Sequence, residues 1–179
     1  MKAIETRYRG YRFRSRLEAR WAVYFDALKL EWQYEPQGYD LGDGVRYLPD
    51  FWLPQVRMWG EVKPEPFVPD ELDKARRLHA QTGNPVLLLI GPPSAASYWA
   101  VDGEDDAGQP VYCDYVISMY HGYPLTEHRF YASTGEACPP DQRPSPLADG
   151  FHEHMIEDVA EAVIAARSAR FEHGEIPRY

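Results

Sequence analysis

Two short apolar-flanked runs carry the residues best suited to chemistry. Asp50 sits in Tyr47-Leu48-Pro49-Asp50-Phe51-Trp52-Leu53, and Glu61 and Lys63 in Trp59-Gly60-Glu61-Val62-Lys63. With Pro54-Gln55 between them, the runs read as adjacent strands of a hairpin. Side chains at i and i+2 of a strand share a face, so Glu61 and Lys63 point together while Val62 points into the opposite layer. With Asp50 across from Glu61, the two carboxylates make an oxygen-rich pocket for a hard divalent cation, with an ammonium beside it. Magnesium favours such carboxylate oxygens and keeps several waters. A cation, a water and a lysine facing a phosphodiester are the minimum for metal-assisted hydrolysis.

A third carboxylate lies upstream, where Phe13-Arg14-Ser15-Arg16-Leu17-Glu18 opens a helix. Ser15-x-x-Glu18 has the form of a capping box, in which the glutamate reaches back to the start of the helix. Leu17, Trp21, Tyr24, Phe25 and Leu28 recur at helical spacing as one apolar stripe, and Glu18 stands at its edge. An edge position serves a cap or reaches a site beside the sheet. The strand motif favours the second.

Pro49-Asp50 followed by Glu61-Val62-Lys63, with the upstream Glu18, resembles the PD-(D/E)XK nuclease superfamily. Small phage or mobile-element nucleases and transposon endonuclease subunits are the members it looks most like. The likeness covers roughly residues 7 to 90. Pro64 departs from the small or flexible residue that more often follows the lysine. The resemblance implies a DNA endonuclease using magnesium or manganese. Asp50, Glu61 and the backbone carbonyl of Val62 would hold the ion, joined by Glu18. Lys63 would orient the attacking water, help deprotonate it, or steady the phosphate in the transition state. Metal ligands and catalytic residues are thus expected among Glu18, Asp50, Glu61, Val62 and Lys63.

The 179 residues, 44% of them hydrophobic, suffice for one domain, and the formal net charge of −9 argues against passive coating of nucleic acid. Charge is uneven, however. Residues 1–20 hold seven Lys/Arg against two acids. Arg7-Tyr8-Arg9-Gly10-Tyr11-Arg12-Phe13-Arg14 interleaves arginine with aromatics, and Arg16 follows. In extended form Arg12 and Arg14 share one face, and Tyr11 and Phe13 the other. Aromatics anchoring the arm would leave the arginines for DNA phosphates; an ordinary solvated ribbon is the alternative.

The pattern predicts a helix over 15–30, extended pieces near Trp32–Glu35, Tyr39–Leu41 and Val45–Leu53, and a turn at Asp43-Gly44. A strand near Val56–Lys63 follows, then a helix from Asp70 or Glu71 to Thr82 closed by Gly83, and a buried strand Val86–Ile90. This strand–helix–strand crossover implies a parallel pair in a mixed sheet with helices on its faces. The order follows that of the restriction-endonuclease-like core. Residues 1–92 form that α/β core with its basic arm. Residues 93–179 form a β-rich extension packed on it: strands at Ser97–Val101 and Val111–Tyr120, a turn at Gly103–Asp106, an aromatic stretch to Tyr131, a loop at Ala137–Gly150, and a helix from Glu153 to Glu172.

Other chemistries lack their spacing. His152-Glu153-His154 is not HExxH, because position 156 is isoleucine. Neither a phosphate-binding glycine loop nor a dinucleotide fingerprint occurs. Cys113 and Cys138 read as two reduced thiols of a cytoplasmic protein, and no apolar run reaches the ~20 residues of a membrane helix. The expected function is a metal-dependent DNA endonuclease, as a homodimer, a nicking enzyme or part of a nucleoprotein complex. A non-catalytic DNA-binding or assembly protein and an RNA-directed nuclease are the alternatives.

Overall fold

The computed structural model describes residues 4–94, 98–105, 108, 110–120, 123–130 and 153–171. The basic arm folds as a hairpin of β1 (Thr6–Tyr8) and β2 (Tyr11–Phe13). Its turn residues Arg9 and Gly10 both have positive φ, as a two-residue turn matched to strand twist requires. Phe13 is fully buried while Arg7 and Arg12 face outward. Helix α1 (Arg16–Ala27) starts at Ser15 and ends short of the predicted residue 30. There Lys29 adopts the left-handed conformation, at φ +57°, and its N–H bonds the Asp26 carbonyl at 2.9 Å. A left-handed residue closes a helix in this way.

The predicted extended segments appear as shorter strands: β3 (Gln33–Tyr34), β4 (Tyr39–Asp40), β5 (Arg46–Tyr47), β6 (Phe51–Leu53) and β7 (Met58–Lys63). The run Val45–Leu53 divides at Leu48–Asp50, where Pro49 has no N–H for a ladder. β4 and β5 pair as a separate ribbon about Asp43-Gly44, both at positive φ. β7 begins two residues later than predicted because Pro54–Arg57 forms the turn, with Arg57 at φ +54°. Helix α2 (Pro69–Thr82) begins on a proline preset for the first helical position and ends at Gly83, φ +67°. Strand β8 (Val86–Ile90) falls where the apolar run predicts.

Strands β9 (Tyr98–Glu104), β10 (Pro110–Tyr120) and β11 (Tyr123–Phe130) extend the same sheet. Gly103 and Glu104 remain in β9, where the sequence pattern predicts the turn, because Glu104 pairs with Pro110. Helix α3 runs Glu153–Ser168 and stops before the predicted Glu172. Past it the chain lays Phe171 edge-on against Tyr8, with ring centroids 6.2 Å apart. Ser97, Asp106, Tyr131, the Ala137–Gly150 loop, Glu172 and Gly174 lie outside the described residues.

Among the described residues the main sheet has seven strands in the order β11-β10-β9-β8-β7-β6-β3. β7 and β8 run parallel, Trp59 opposite Val86 through Lys63 opposite Ile90, and the other neighbours antiparallel. The molecule is therefore mixed α/β. Alternation along β7 divides its side chains between two cores. Met58 and Val62 join Phe51, Leu53, Leu87 and Leu89 in the cluster under α1, which in turn packs on α3. Trp59 joins Val86, Leu88, Ala75 and Leu78 under α2. Each such large side chain contributes about 1.5–3 kcal/mol when fully buried. Phe13, Phe25, Tyr34 and Phe51 stack where α1, β2, β3 and β6 meet, Phe25 edge-on to Phe51 at 5.3 Å. Among the described residues no helix is long and apolar enough to cross a membrane.

Gly60 lies at the centre of this arrangement. A Cβ built there would meet Leu89 Cδ1 at 3.2 Å and Phe51 Cβ at 3.4 Å. Gly60→Val therefore overpacks the cluster under α1, and urea unfolding should show a loss of about 1–3 kcal/mol.

Candidate active site

Strand β6 makes its last paired contact at Phe51, opposite Gly60. One more step on that register sets Asp50 opposite Glu61, as the sequence reading requires. Backbone groups alternate sides along β7. The Lys63 carbonyl accepts the Gly91 N–H at 2.8 Å on the β8 side, so the Val62 peptide faces β6. No β6 backbone remains there to receive it. Instead Asp50 Oδ2 accepts the Val62 N–H at 2.8 Å, a side chain standing in for the missing ladder partner. The Val62 carbonyl turns toward the same gap, and Asp50 Oδ1 has no hydrogen-bond partner among the described residues.

Glu61, only 6% exposed, is held from both sides. Lys63 Nζ stands 2.9 Å from its Oε1, and the Tyr47 hydroxyl donates to its Oε2 at 2.7 Å. Lys63 also reaches Glu71 Oε1 at 3.3 Å. Glu71 is the third residue of α2, and its Oε2 accepts the Val68 N–H at 3.1 Å. It thus caps a helix and steers the lysine at once.

Glu18 arrives from the start of α1 and is 8% exposed. Ser15 Oγ donates to its Oε1 at 2.6 Å; the Arg14 N–H and the Tyr34 hydroxyl donate to its Oε2 at 3.1 and 2.5 Å. Ser15 Oγ in turn accepts the Glu18 N–H at 3.2 Å. The capping half of the sequence reading is therefore realised, with the returned bond landing one residue before the N-cap. Glu35 adds a carboxylate that the sequence reading did not single out. It sits at φ +44°, its N–H bonds the Asp50 carbonyl at 2.9 Å, and its Oε1 lies 2.8 Å from Arg14 Nε.

These carboxylates feel one another. Burial, then repulsion by Glu61 and Glu18, push the Asp50 carboxyl well above the usual range, against the lowering by the Val62 N–H and Lys63. Burial pushes Glu35 up, Arg14 pulls it down, and Glu18 and Glu61 push it up again. Tyr47 is raised by burial and by Glu61, which keeps it a neutral donor. Burial alone would lower Lys63, but Glu61 and Glu71 outweigh it, so its amine is raised and remains an ammonium at neutral pH.

A divalent cation fits this donor set. Asp50 keeps one unpartnered oxygen beside Glu61, whose two oxygens are engaged by Lys63 and Tyr47, the Val62 carbonyl turns to the same side, and a single ammonium leaves the pair short of positive charge. Among the described residues no three His, Cys, Asp or Glu side chains converge as a metal-holding group. Both oxygens of Glu18, like both of Glu61, are bonded to protein donors.

The arginines divide differently from their even spacing. Arg9 pairs with Asp26 at 3.0 Å, Arg12 with Glu5, and Arg14 with Glu35. Arg7 is exposed with no ion pair among the described residues, and Arg16 is half-buried at the start of α1. Tyr11 and Phe13 anchor the arm as the alternation predicts, packing on Trp32 and Tyr34.

Tyr34, Glu35, Tyr47 and Glu71 are site residues that sequence reasoning missed. Glu71, three residues past Val68 and beside Pro69, carried the one usable signal, half of a capping box. The others act across elements, where sequence spacing is silent. Comparison with protein-family models, curated proteins and solved structures gives no match.

Because Asp50 holds a proton more tightly folded than unfolded, it favours folding at acid pH. That contribution fades as pH rises from its unfolded value through its raised folded one. Asp50→Asn removes the buried charge and keeps an acceptor for Val62. In chelator, thermal melts across acid to neutral pH should show the variant more stable than wild type near neutrality and level with it in acid. Each 1 kcal/mol appears as about 2–4 °C in a chain of this size.

Proposed function

We propose that the protein is a metal-dependent endonuclease of the PD-(D/E)XK kind, hydrolysing DNA phosphodiester bonds. The observation that carries this reading is the buried pair Asp50 and Glu61 beyond the end of β6, with Lys63 Nζ 2.9 Å from Glu61. Supporting it is the order of elements around the pair. One helix, three antiparallel strands, a second helix and a strand parallel to the third follow in α1, β3, β6, β7, α2 and β8. Fold alone does not make an enzyme, so the weight rests on the site.

Asp50, Glu61 and the Val62 carbonyl would hold a magnesium or manganese ion. Bound there, the ion supplies Lewis-acid neutralisation of phosphoryl charge. Lys63, charged and pinned between Glu61 and Glu71, donates a hydrogen bond to a phosphate oxygen or to the attacking water. Its charge, upheld by Glu61 and Glu71, suits it first to orientation and charge stabilisation among the roles implied by the resemblance. Tyr47 keeps Glu61 turned toward the gap. Glu18 supports the site through its charge and the cap it completes, with direct ligation as its second role.

The basic hairpin would track the DNA backbone. Its Arg12–Glu5 pair is exposed on both sides and therefore weak, so a phosphate can replace Glu5 as the partner of Arg12.

Wild-type protein should nick or cut plasmid, linear or branched DNA in magnesium or manganese and not in chelator. Asp50→Ala and Glu61→Ala should abolish cleavage, and Lys63→Ala should slow it about 10²–10³-fold, as loss of one charge-stabilising donor does. Glu18→Gln keeps an acceptor for the cap and should retain its melting temperature; normal cleavage in low magnesium would leave it a cap alone. Full activity of Asp50→Ala in magnesium would overturn the assignment.

Replacing Arg7, Arg9, Arg12 and Arg14 with alanine should weaken DNA binding and flatten its salt dependence. The slope should fall by roughly 0.9 for each phosphate that the arm no longer neutralises. An unchanged slope would move the phosphate track elsewhere.

A further inference from the structure

A cavity of about 590 Å³ opens toward the C-terminal end of α1. Tyr11, Trp32, Leu30 and Pro54 line it together with the cations Arg9 and Lys29 and the acids Asp26 and Glu31. Its walls are organised by one buried carboxylate, Asp26, whose side chain is 5% exposed. Asp26 Oδ1 accepts the Trp32 Nε1–H at 3.0 Å, and its Oδ2 accepts the Tyr8 hydroxyl at 2.7 Å and pairs with Arg9 Nε at 3.0 Å. The indole is therefore locked in plane. Tyr11 leans on it with centroids 4.9 Å apart and planes at 52°, and stays 41% exposed. The Arg9 side chain remains 59% exposed despite its bond to Asp26. An aromatic wall with guanidinium and ammonium groups at its rim suits a ligand having both a flat π-face and an anionic group. A nucleotide is such a ligand: stacking on aromatic side chains is sequence-tolerant because every base has a π-face.

We propose that this cavity takes one unpaired nucleotide of a DNA strand, its base against Tyr11 and Trp32 and its phosphate on Arg9 and Lys29. The proposal rests on the endonuclease reading and sharpens it by naming the substrate class: DNA with an unpaired stretch, flap or gap rather than continuous duplex. Asp26 lies eight residues beyond Glu18 on α1 (26 − 18). At 1.5 Å per residue this is about 12 Å along the helix. A base held there would sit a few nucleotides from the bond at Asp50 and Glu61.

The test uses full-length protein carrying Asp50→Ala, so that binding is read without cleavage. Anisotropy of a labelled twelve-nucleotide oligo-dT and of a blunt duplex of the same length, at low salt, should show the single strand bound at least tenfold more tightly. Tyr11→Ala in that background should weaken single-strand binding about 5- to 150-fold, the range for removal of one stacking ring, and weaken duplex binding distinctly less. Lys29→Glu should weaken single-strand binding and lower its salt slope. Because Trp32 also bonds Asp26 and packs on Phe51, Trp32→Phe keeps the ring while losing the bond, and should retain most of the single-strand affinity. Equal affinity for both DNAs, or single-strand binding indifferent to both Tyr11→Ala and Lys29→Glu, would overturn the proposal. The endonuclease reading stands or falls separately, on cleavage by wild type. A cleaving enzyme without single-strand preference sinks only the cavity, and a non-cleaving protein with Tyr11-dependent binding keeps it.

Discussion

A hydrogen bond between the Asp50 carboxylate and the Val62 N–H replaces backbone pairing where β6 runs out. Pro49 ends the strand by having no N–H to offer, and a buried peptide left without a partner would cost about 1–3 kcal/mol. Asp50 fills that role, and in doing so is drawn into the interior beside Glu61. The same bond therefore completes the sheet and brings two like charges together. Its lowering effect on Asp50 is outweighed by burial and by Glu61. A cation offsets that conflict most directly.

The surroundings keep the conflict in place instead of letting it relax. Val62 and Phe51, one step beyond Glu61 and Asp50, are locked in the cluster under α1, so neither carboxylate can swing away with its backbone. Glu61 is gripped by Tyr47 and Lys63, and Lys63 by Glu71, whose position follows from the start of α2 at Pro69. On the other side, Tyr34 ties β3 to Glu18. Removing any one of these partners leaves a buried polar group unsatisfied, which makes the site rigid by cost.

The arm is bound into the same frame. Phe13 is fully buried against Tyr34 and Phe51, so the hairpin that bears Arg7, Arg9 and Arg12 is fixed relative to the carboxylates. Its cations are mostly committed to Glu5, Asp26 and Glu35. The net positive charge of the first twenty residues is thus spread through ion pairs with acids of the same frame.

Local chemistry wrote much of the fold into the chain. The Val86–Ile90 strand, the Asp43-Gly44 turn, the Gly83 helix end and the shared face of Glu61 and Lys63 follow from periods and dihedral preferences within a few residues. The sequence also specified which residue types could meet at the strand pair, because alternation and register are short-range rules. Only the tertiary structure decided what those residues touch. It ended α1 at a left-handed lysine, split Val45–Leu53 in two, and carried β9 past its predicted turn. It set Tyr47 on Glu61, Glu71 on Lys63, and three donors on Glu18. Those contacts join residues from different elements through side chains of several rotatable bonds. Their partners are chosen by packing and burial, which no local pattern encodes.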